Sequence, residues 1–355
     1  MDPVPCGLML TDLRLHDFRC FDDLEFFPGR GRTFVSGANA QGKTSLLEAV
    51  CVLLRLQSPR TAAMAEAVKL GRGGFALDGH CAGTHLVCRH ASGERAIALD
   101  SKPQSRTDDY LGVARVAWFA NTDLELVRGG GGGRRRYLDF LGSQCLPGYR
   151  KSLRDYERAL RSRNSLLKDR RPRREIGAFD RPLAEAGDFL LAARASLAAE
   201  LAPRAAAACS EIGGAGESLD IAYIPGADSP LADALAGSRN DEDRLRQTVV
   251  GPHRDNLGLT LNGLDAAAFA SEGQQRGIAL AMKLAQARHL EAVQLRAPIL
   301  LLDDIFGELD PHRRNRLLAS LPAGSQAIIT TTFLDWADRS PDDTIFRLEG
   351  GHLAV

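Results

Sequence analysis

Apolar residues recur at Leu46, Leu47, Val50, Leu53 and Leu54, the i, i+3, i+4 spacing of a helix with a buried face. Short alternating runs at Leu13 to Leu15, Thr33 to Ser36, Leu86 to Arg89 and Ile97 to Leu99 predict strands separated by turns around that helix. From residue 118 to 247 the pattern turns helical and charged, with alanine-rich stretches such as Ala192 to Ala208. Strand signals then return. Leu257, Leu259 and Leu261 alternate with Gly258 and Thr260, and Asn262-Gly263 supplies a turn. A second helix is expected after Ser271, with apolar positions Ile278, Leu280, Met282, Leu284, Leu290 and Val293. Ile299 to Leu302 is a continuous apolar run ending in Asp303 and Asp304, the pattern of a strand buried on both sheet faces where it emerges at its C-terminal edge. The expected organisation is an α/β head made from residues 1–117 and 248–355, interrupted by an inserted, mainly helical arm at 118–247. Gly129 to Gly133 read as a loop.

Length and composition narrow this picture only a little. A chain of 355 residues suits one large or two modest domains. Lys+Arg and Asp+Glu both number 45, so the total charge says nothing about partners. No apolar run approaches the roughly 18 residues of a membrane span. Met1 to Pro5 lacks the basic and long apolar segments of a secretion signal, so a cytoplasmic protein is expected. The seven cysteines form no C-x-x-C pair and read as small buried hydrophobes. His80, Cys81, His85, Cys88 and His90 cluster in sequence, but their spacing fits no common zinc pattern.

Chemistry enters with Gly37-Ala38-Asn39-Ala40-Gln41-Gly42-Lys43-Thr44, which fits G-x-x-x-x-G-K-[ST] between the strand at Phe34-Val35 and the first helix. Glycines let backbone N–H groups converge on a phosphate, Lys43 adds a point charge, and the Thr44 hydroxyl can ligate Mg²⁺ at a helix N-terminus. The expected loop ligands of a nucleoside triphosphate are Gly37, Asn39, Gly42, Lys43, Thr44 and Ser45. In open α/β sheets ligands bind at the C-terminal strand edge. Asp303 is therefore expected to hold Mg²⁺, and Asp304 to polarise the attacking water.

Ser271-Glu272-Gly273-Gln274-Gln275-Arg276 opens a helix whose N-terminal donors suit an anion. Alone it is an N-cap. With the phosphate loop upstream and the acidic strand end downstream, it resembles the signature of ABC-type ATPases, and Gly307-Glu308-Leu309-Asp310 resembles their D-loop. That resemblance implies that Ser271, Gly273 and Gln274 meet the γ-phosphate on a second copy, giving a homodimer closed on two ATP molecules.

The whole chain resembles the RecF family, the recombination-mediator ATPases of bacterial DNA repair, related to SMC heads. The segments carrying the resemblance run in order: Leu15-His16-Asp17-Phe18-Arg19, the phosphate loop, Leu124 to Val127, Arg134-Arg135-Arg136-Tyr137-Leu138-Asp139, Arg163 to Lys168, Gly251-Pro252-His253-Arg254-Asp255, the Gln-Gln-Arg signature, Leu302-Asp303-Asp304 and Gly307 to Asp310. The family implies slow ATP hydrolysis as a release timer, and dimerisation with ATP on gapped DNA or single-strand/double-strand junctions. It also implies cooperation with RecR and RecO in loading RecA.

The chain departs from the family at three places. Ala38 and Ala40 stand in the loop where the family usually has proline or another residue and glycine. Asn121-Thr122-Asp123 replaces Pro-Glu-Asp, and a Q-loop glutamine is matched only weakly by Gln57 or Gln104. Thr330-Thr331-Thr332 stands where transporter ATPases carry histidine, which disfavours the rival reading of a transporter subunit. A scaffold that binds ATP without turnover is disfavoured by the intact Asp303 and Asp304.

Between Arg128 and Arg174 the chain has fifteen Lys/Arg and four Asp/Glu, a local excess. On a helix, Arg150, Arg154, Arg158, Arg161 and Lys168 share one sector, opposite Tyr149, Leu153, Tyr156, Leu160 and Leu167. A basic helix face is often only solvated, but beside the family resemblance it marks Arg150, Arg154, Arg158 and Arg161, with Arg134, Arg135 and Arg136, as candidate DNA-phosphate contacts.

Overall fold

A computed structural model describes residues 9–61, 63–213, 216–228, 230–337 and 340–354. Met1 to Pro5 and Cys6 lie outside the described residues. The chain divides into two compact units, residues 1–123 with 286–355, and residues 124–285.

The first unit carries two six-stranded sheets. One is antiparallel, in the order Phe21–Phe26, Leu10–Phe18, Gly74–Cys81, Thr84–Ala91, Glu94–Leu99 and Lys102–Gln104. The other runs His352–Ala354, Thr344–Glu349, Arg32–Ser36, Ala327–Thr331, Ile299–Asp303 and Val116–Ala120. Its last five strands are mutually parallel, and His352–Ala354 pairs antiparallel at the edge. Ile299 to Leu302 are fully buried, as the uninterrupted apolar run requires.

The helix Lys43–Arg55 differs from the expectation of one buried face. Leu46 to Leu54 are buried on every side, because the helix packs against strands of both sheets. Gln326, 1% exposed, joins the two layers: its Nε2 donates to Leu10 O and Gly29 O, and its Oε1 accepts from Leu10 N. Among the described residues no helix is long and apolar enough to cross a membrane.

The second unit contains a three-stranded antiparallel sheet, Leu264–Asp265, Asn256–Leu261 and Leu219–Ile224. Its long helices are Gly131–Cys145, Tyr149–Lys168 and Asp180–Gly213, and the helix Glu272–Gln294 begins in it. Tyr149, Tyr156, Leu183, Leu190 and Leu231 form its core.

Two expectations need correction here. Residues 248–285, expected with the head, belong to the second unit. Asn256–Leu261 pairs along its whole length with Leu219–Ile224, and Arg194 binds the buried Asp255 carboxylate at 2.7 Å. Gly131 to Gly133, expected as loop, form the first turn of the helix Gly131–Cys145. The turn is secured from its C-terminal side, where Arg134 Nη1 donates to Leu126 O and Gly129 O at 2.9 Å each.

Candidate nucleotide site and basic helix

The phosphate loop joins the strand Arg32–Ser36 to the helix Lys43–Arg55. Gly42 caps the helix in the left-handed region, φ 105°. A β-carbon there would stand 2.7 Å from the Phe21 ring and 2.8 Å from Cys20 Sγ, so glycine is required twice over. A β-carbon on Gly37 would meet Leu348 O. Ala40 is also left-handed, φ 65°. The loop thus keeps the bend for which glycine is best suited while carrying a methyl group.

Lys43 is 6% exposed and donates to Gly37 O (2.6 Å) and Ala38 O (2.9 Å), tying the ammonium to the loop's own carbonyls. Burial pulls its pKa down, against the pull of Asp304 and Asp303. Asn39 is exposed at the loop tip, and Ser45 is half-buried on the first helical turn.

The loop and the acidic strand end are brought together through hydroxyls. Thr44 Oγ1 donates to Asp303 Oδ1 at 2.9 Å, and Thr330 Oγ1 donates to the same oxygen at 2.8 Å. Burial raises the pKa of Asp303 above the usual carboxylate range, partly offset by these two bonds. Burial likewise raises Asp304, partly offset by Lys43. The donor set fits Mg²⁺. A small hard cation that keeps most of its waters needs only one or two protein oxygens beside the phosphates, and a hydroxyl and a carboxylate oxygen already 2.9 Å apart supply them.

In the second unit Ser271 and Gln274 form a reciprocal capping box. Ser271 N donates to Gln274 Oε1 (2.9 Å), and Gln274 N donates to Ser271 Oγ (3.3 Å). Ser271, Glu272 and Gly273 are exposed. Gln275 is buried instead, with its Oε1 accepting from Arg128 Nε at 2.6 Å.

The helix Tyr149–Lys168 carries the basic stripe. Arg154, Arg158, Arg161 and Lys168 are exposed, Arg150 is half-buried, and Tyr149, Tyr156 and Leu167 are buried on the other side. Arg163, outside the stripe, is 1% exposed and forks onto Glu242 at 2.6 and 2.9 Å. Arg134 is removed from the candidate DNA contacts. It is 9% exposed, and its Nε donates to Asn256 Oδ1 while its Nη1 is spent on two carbonyls. Arg135 spends an Nη1 donor on Asp255 O, and Arg136 is exposed.

Three groups carry no sequence signal of their place in the structure. Thr330 stands out in sequence only for not being histidine, yet its hydroxyl reaches Asp303. Asn121 Nδ2 donates to Asp304 O at 3.1 Å. Asp255, which in sequence reads as part of a turn before a strand, is wholly buried and accepts from Arg194, the Tyr223 hydroxyl and Gly226 N. His253 beside it joins the Tyr156 hydroxyl to Thr248 O. No spacing rule announces such tertiary partners. The His/Cys run does not converge: His80 and His85 stack across two strands at 4.7 Å, whereas Cys81 and Cys88 are buried with thiols pushed up to about 12.

Residues 12–77 match the model of the AAA domain family. A protein described as DNA replication and repair protein RecF, from Anaeromyxobacter sp. (strain Fw109-5), is 40% identical over 368 residues, covering 98% of this chain and 99% of its own. The chain belongs to the RecF family. A second RecF, from Myxococcus xanthus (strain DK1622), is 36% identical over 98% of this chain and 97% of its own. Among solved structures, that of the recombination mediator protein RecF with ATP in the RecFOR pathway superposes with a TM-score of 0.90 at 28% identity, covering 100% of this chain and 99% of that one. An SMC head bound to the C-terminal winged-helix domain of ScpA shares the fold alone, at a TM-score of 0.54 and 13% identity over 97% of this chain and 95% of that one. The RecF-family fold is thus that of an ABC-type P-loop ATPase head.

Proposed function

We propose that this chain is an ATP-dependent DNA-binding protein of recombinational repair and replication restart. It dimerises with ATP on gapped or junction DNA, hydrolyses ATP slowly as a release timer, and with RecO and RecR aids RecA loading. The observation that carries the nucleotide half is the Thr44–Asp303–Thr330 hydroxyl and carboxylate cluster beside Lys43, in a chain of the RecF family.

In this reading Gly37, Asn39, Gly42, Lys43, Thr44 and Ser45 hold the phosphates, and Thr44 with Asp303 holds Mg²⁺, which would neutralise phosphate charge. Asp304 takes the proton of the attacking water. The water oxygen bonds to the γ-phosphorus, the bond from that phosphorus to the bridging oxygen breaks, and ADP leaves. Ser271, Gly273 and Gln274 serve the γ-phosphate held by a second copy. The capping box leaves Ser271 and Gly273 exposed at a helix N-terminus, which favours that use. The exposed Arg154, Arg158 and Arg161, with Arg136, meet DNA phosphates, an arrangement suited to recognising structure more than sequence.

Sedimentation of the purified protein with ATP, ADP or no nucleotide, each with and without gapped duplex, tests this reading. A dimer that forms with ATP and is strengthened by DNA is expected. A sedimentation coefficient indifferent to nucleotide and DNA refutes it.

A further inference from the structure

Asp304 stands in the left-handed region, φ 51°, immediately after the strand Ile299–Asp303 ends. Left-handed backbone is uncommon for residues other than glycine, though Asp tolerates it better than most, so the contacts that hold this one bear on where its side chain points. Two neighbours hold its backbone, beside the Thr332 backbone that bonds its carboxylate. Asp304 N–H donates to Thr330 Oγ1 at 3.0 Å and to Thr330 O at 3.2 Å. From the other side Asn121 Nδ2 donates to Asp304 O at 3.1 Å.

These neighbours come from the two strands that flank the acidic strand. Thr330, fully buried, lies on Ala327–Thr331, and Asn121 directly follows Val116–Ala120. Their bonds grip the peptide groups before and after the Asp304 α-carbon. The Thr330 hydroxyl also works in two directions. It accepts from Asp304 N–H while its proton goes to Asp303 Oδ1 at 2.8 Å, so a single side chain bonds the Asp303 carboxylate and the Asp304 backbone.

We infer that Asn121 and Thr330 are positioning residues for hydrolysis, holding Asp304 in its left-handed conformation so that its carboxylate meets the attacking water while Asp303 stays with the metal. The inference rests on the reading of Asp304 as the water-polarising carboxylate. Its physical basis is leverage: released from the grip, Asp304 relaxes toward ordinary backbone angles, the Cα–Cβ bond swings, and the carboxylate leaves its place. A displacement of about 1 Å at a reacting group costs about 100-fold in rate.

The experiment uses the full-length protein. Steady-state ATPase and equilibrium ATP binding are measured for Thr330→Val, Thr330→Ser, Asn121→Ala and Asp304→Asn, with thermal unfolding as a check on folding. Thr330→Val keeps the shape and loses both hydroxyl bonds. It should lower kcat about tenfold or more while ATP affinity stays within about twofold, and Thr330→Ser should recover most of the rate. The exposed Asn121→Ala should fold normally and lose about threefold in kcat. A purely structural role for Thr330 would lower stability and ATP affinity along with the rate, and would not confine the loss to kcat.

Asp304→Asn separates the two levels. If it hydrolyses ATP normally, the parent reading of Asp304 fails. If it is inactive while Asn121→Ala and a folded Thr330→Val turn over as the unmodified protein does, the positioning role is overturned and the parent reading stands. Should Thr330→Val not fold, Asn121→Ala decides: an unchanged kcat rejects the inference and a reduced one at constant affinity supports it.

Discussion

Thr44 and Asp303 are 259 positions apart in sequence, and their side chains meet at 2.9 Å. One sits on the first turn of the helix that follows the phosphate loop, the other at the end of the acidic strand. Their hydrogen bond makes the loop and the carboxylate pair one site.

Lys43→Met should abolish ATP binding and with it ATP-dependent dimerisation. The ammonium is held over the loop by Gly37 O and Ala38 O, where its charge offsets phosphate charge that amides alone leave in excess. Isothermal titration with Mg·ATP checks this. Dimers that still form with ATP would remove the loop from the mechanism.

The two left-handed positions of the loop should respond differently. Gly42→Ala places a methyl group against Phe21 and Cys20 and should lose ATP binding. Ala40→Gly relieves a strain of about 1 kcal/mol, most of which is offset by the freer unfolded chain, so its melting temperature and ATP affinity should stay near those of the unmodified protein. Equal loss of binding in both variants would place the constraint in loop composition and not in geometry.

Asp304→Asn should keep Mg·ATP bound and trap the dimer on DNA, because it removes the proton acceptor and leaves Asp303 for the metal. In the unmodified protein, burial raises the Asp304 pKa. A base works in its ionised form, so turnover should fall as pH drops through a midpoint above the ordinary value of 3.8. An acid limb at or below that value would argue against Asp304 as the base.

Changing Arg150, Arg154, Arg158 and Arg161 together to alanine should weaken binding to gapped duplex and flatten its salt dependence. The slope should drop by about 0.9 log unit for each duplex phosphate that is no longer neutralised. Alanine preserves the helix, so ATP-dependent dimerisation should persist. Titrations of labelled DNA at several salt concentrations, with ATP saturating, provide the measurement. An unchanged slope would make the stripe a solvated surface and leave Arg136 as the exposed candidate.

Asp255→Ala should destabilise the protein by about 3 kcal/mol or more, since it strips the buried Arg194 of a partner and leaves the Tyr223 hydroxyl and Gly226 N–H without an acceptor. Urea unfolding followed by circular dichroism would register the change. A loss below about 1 kcal/mol would mean that Asp139, 2.8 Å from Arg194, suffices alone.

Local chemistry makes much of this legible in advance. The glycine-lysine-threonine loop, the apolar run into Asp303 and Asp304, and the period of the helix Tyr149–Lys168 each need only neighbours in sequence to be read. What resists reading depends on distant partners. Nothing around Arg134 distinguishes it from Arg136, yet Asn256 and two carbonyls bury the first and leave the second exposed. Asp255 reads as a turn residue because its partners Arg194 and Tyr223 lie 61 and 32 positions away. The second unit extends beyond the expected boundary for the same reason, since strand pairing with Leu219–Ile224 leaves no mark on the sequence of Asn256–Leu261.

The strand that launches the phosphate loop, Arg32–Ser36, is flanked by Ala327–Thr331 and Thr344–Glu349. During synthesis the ribosome therefore releases the loop some three hundred residues before the strands that brace it. The nascent N-terminal segment cannot complete its sheet by itself, and the chain must keep Phe34 and Val35 from finding other strand partners while translation proceeds. Residues 124–285, contiguous in sequence, face no such delay. A premature stop anywhere before Thr344 would thus deprive the loop of one of its two flanking strands, however intact the loop's own sequence.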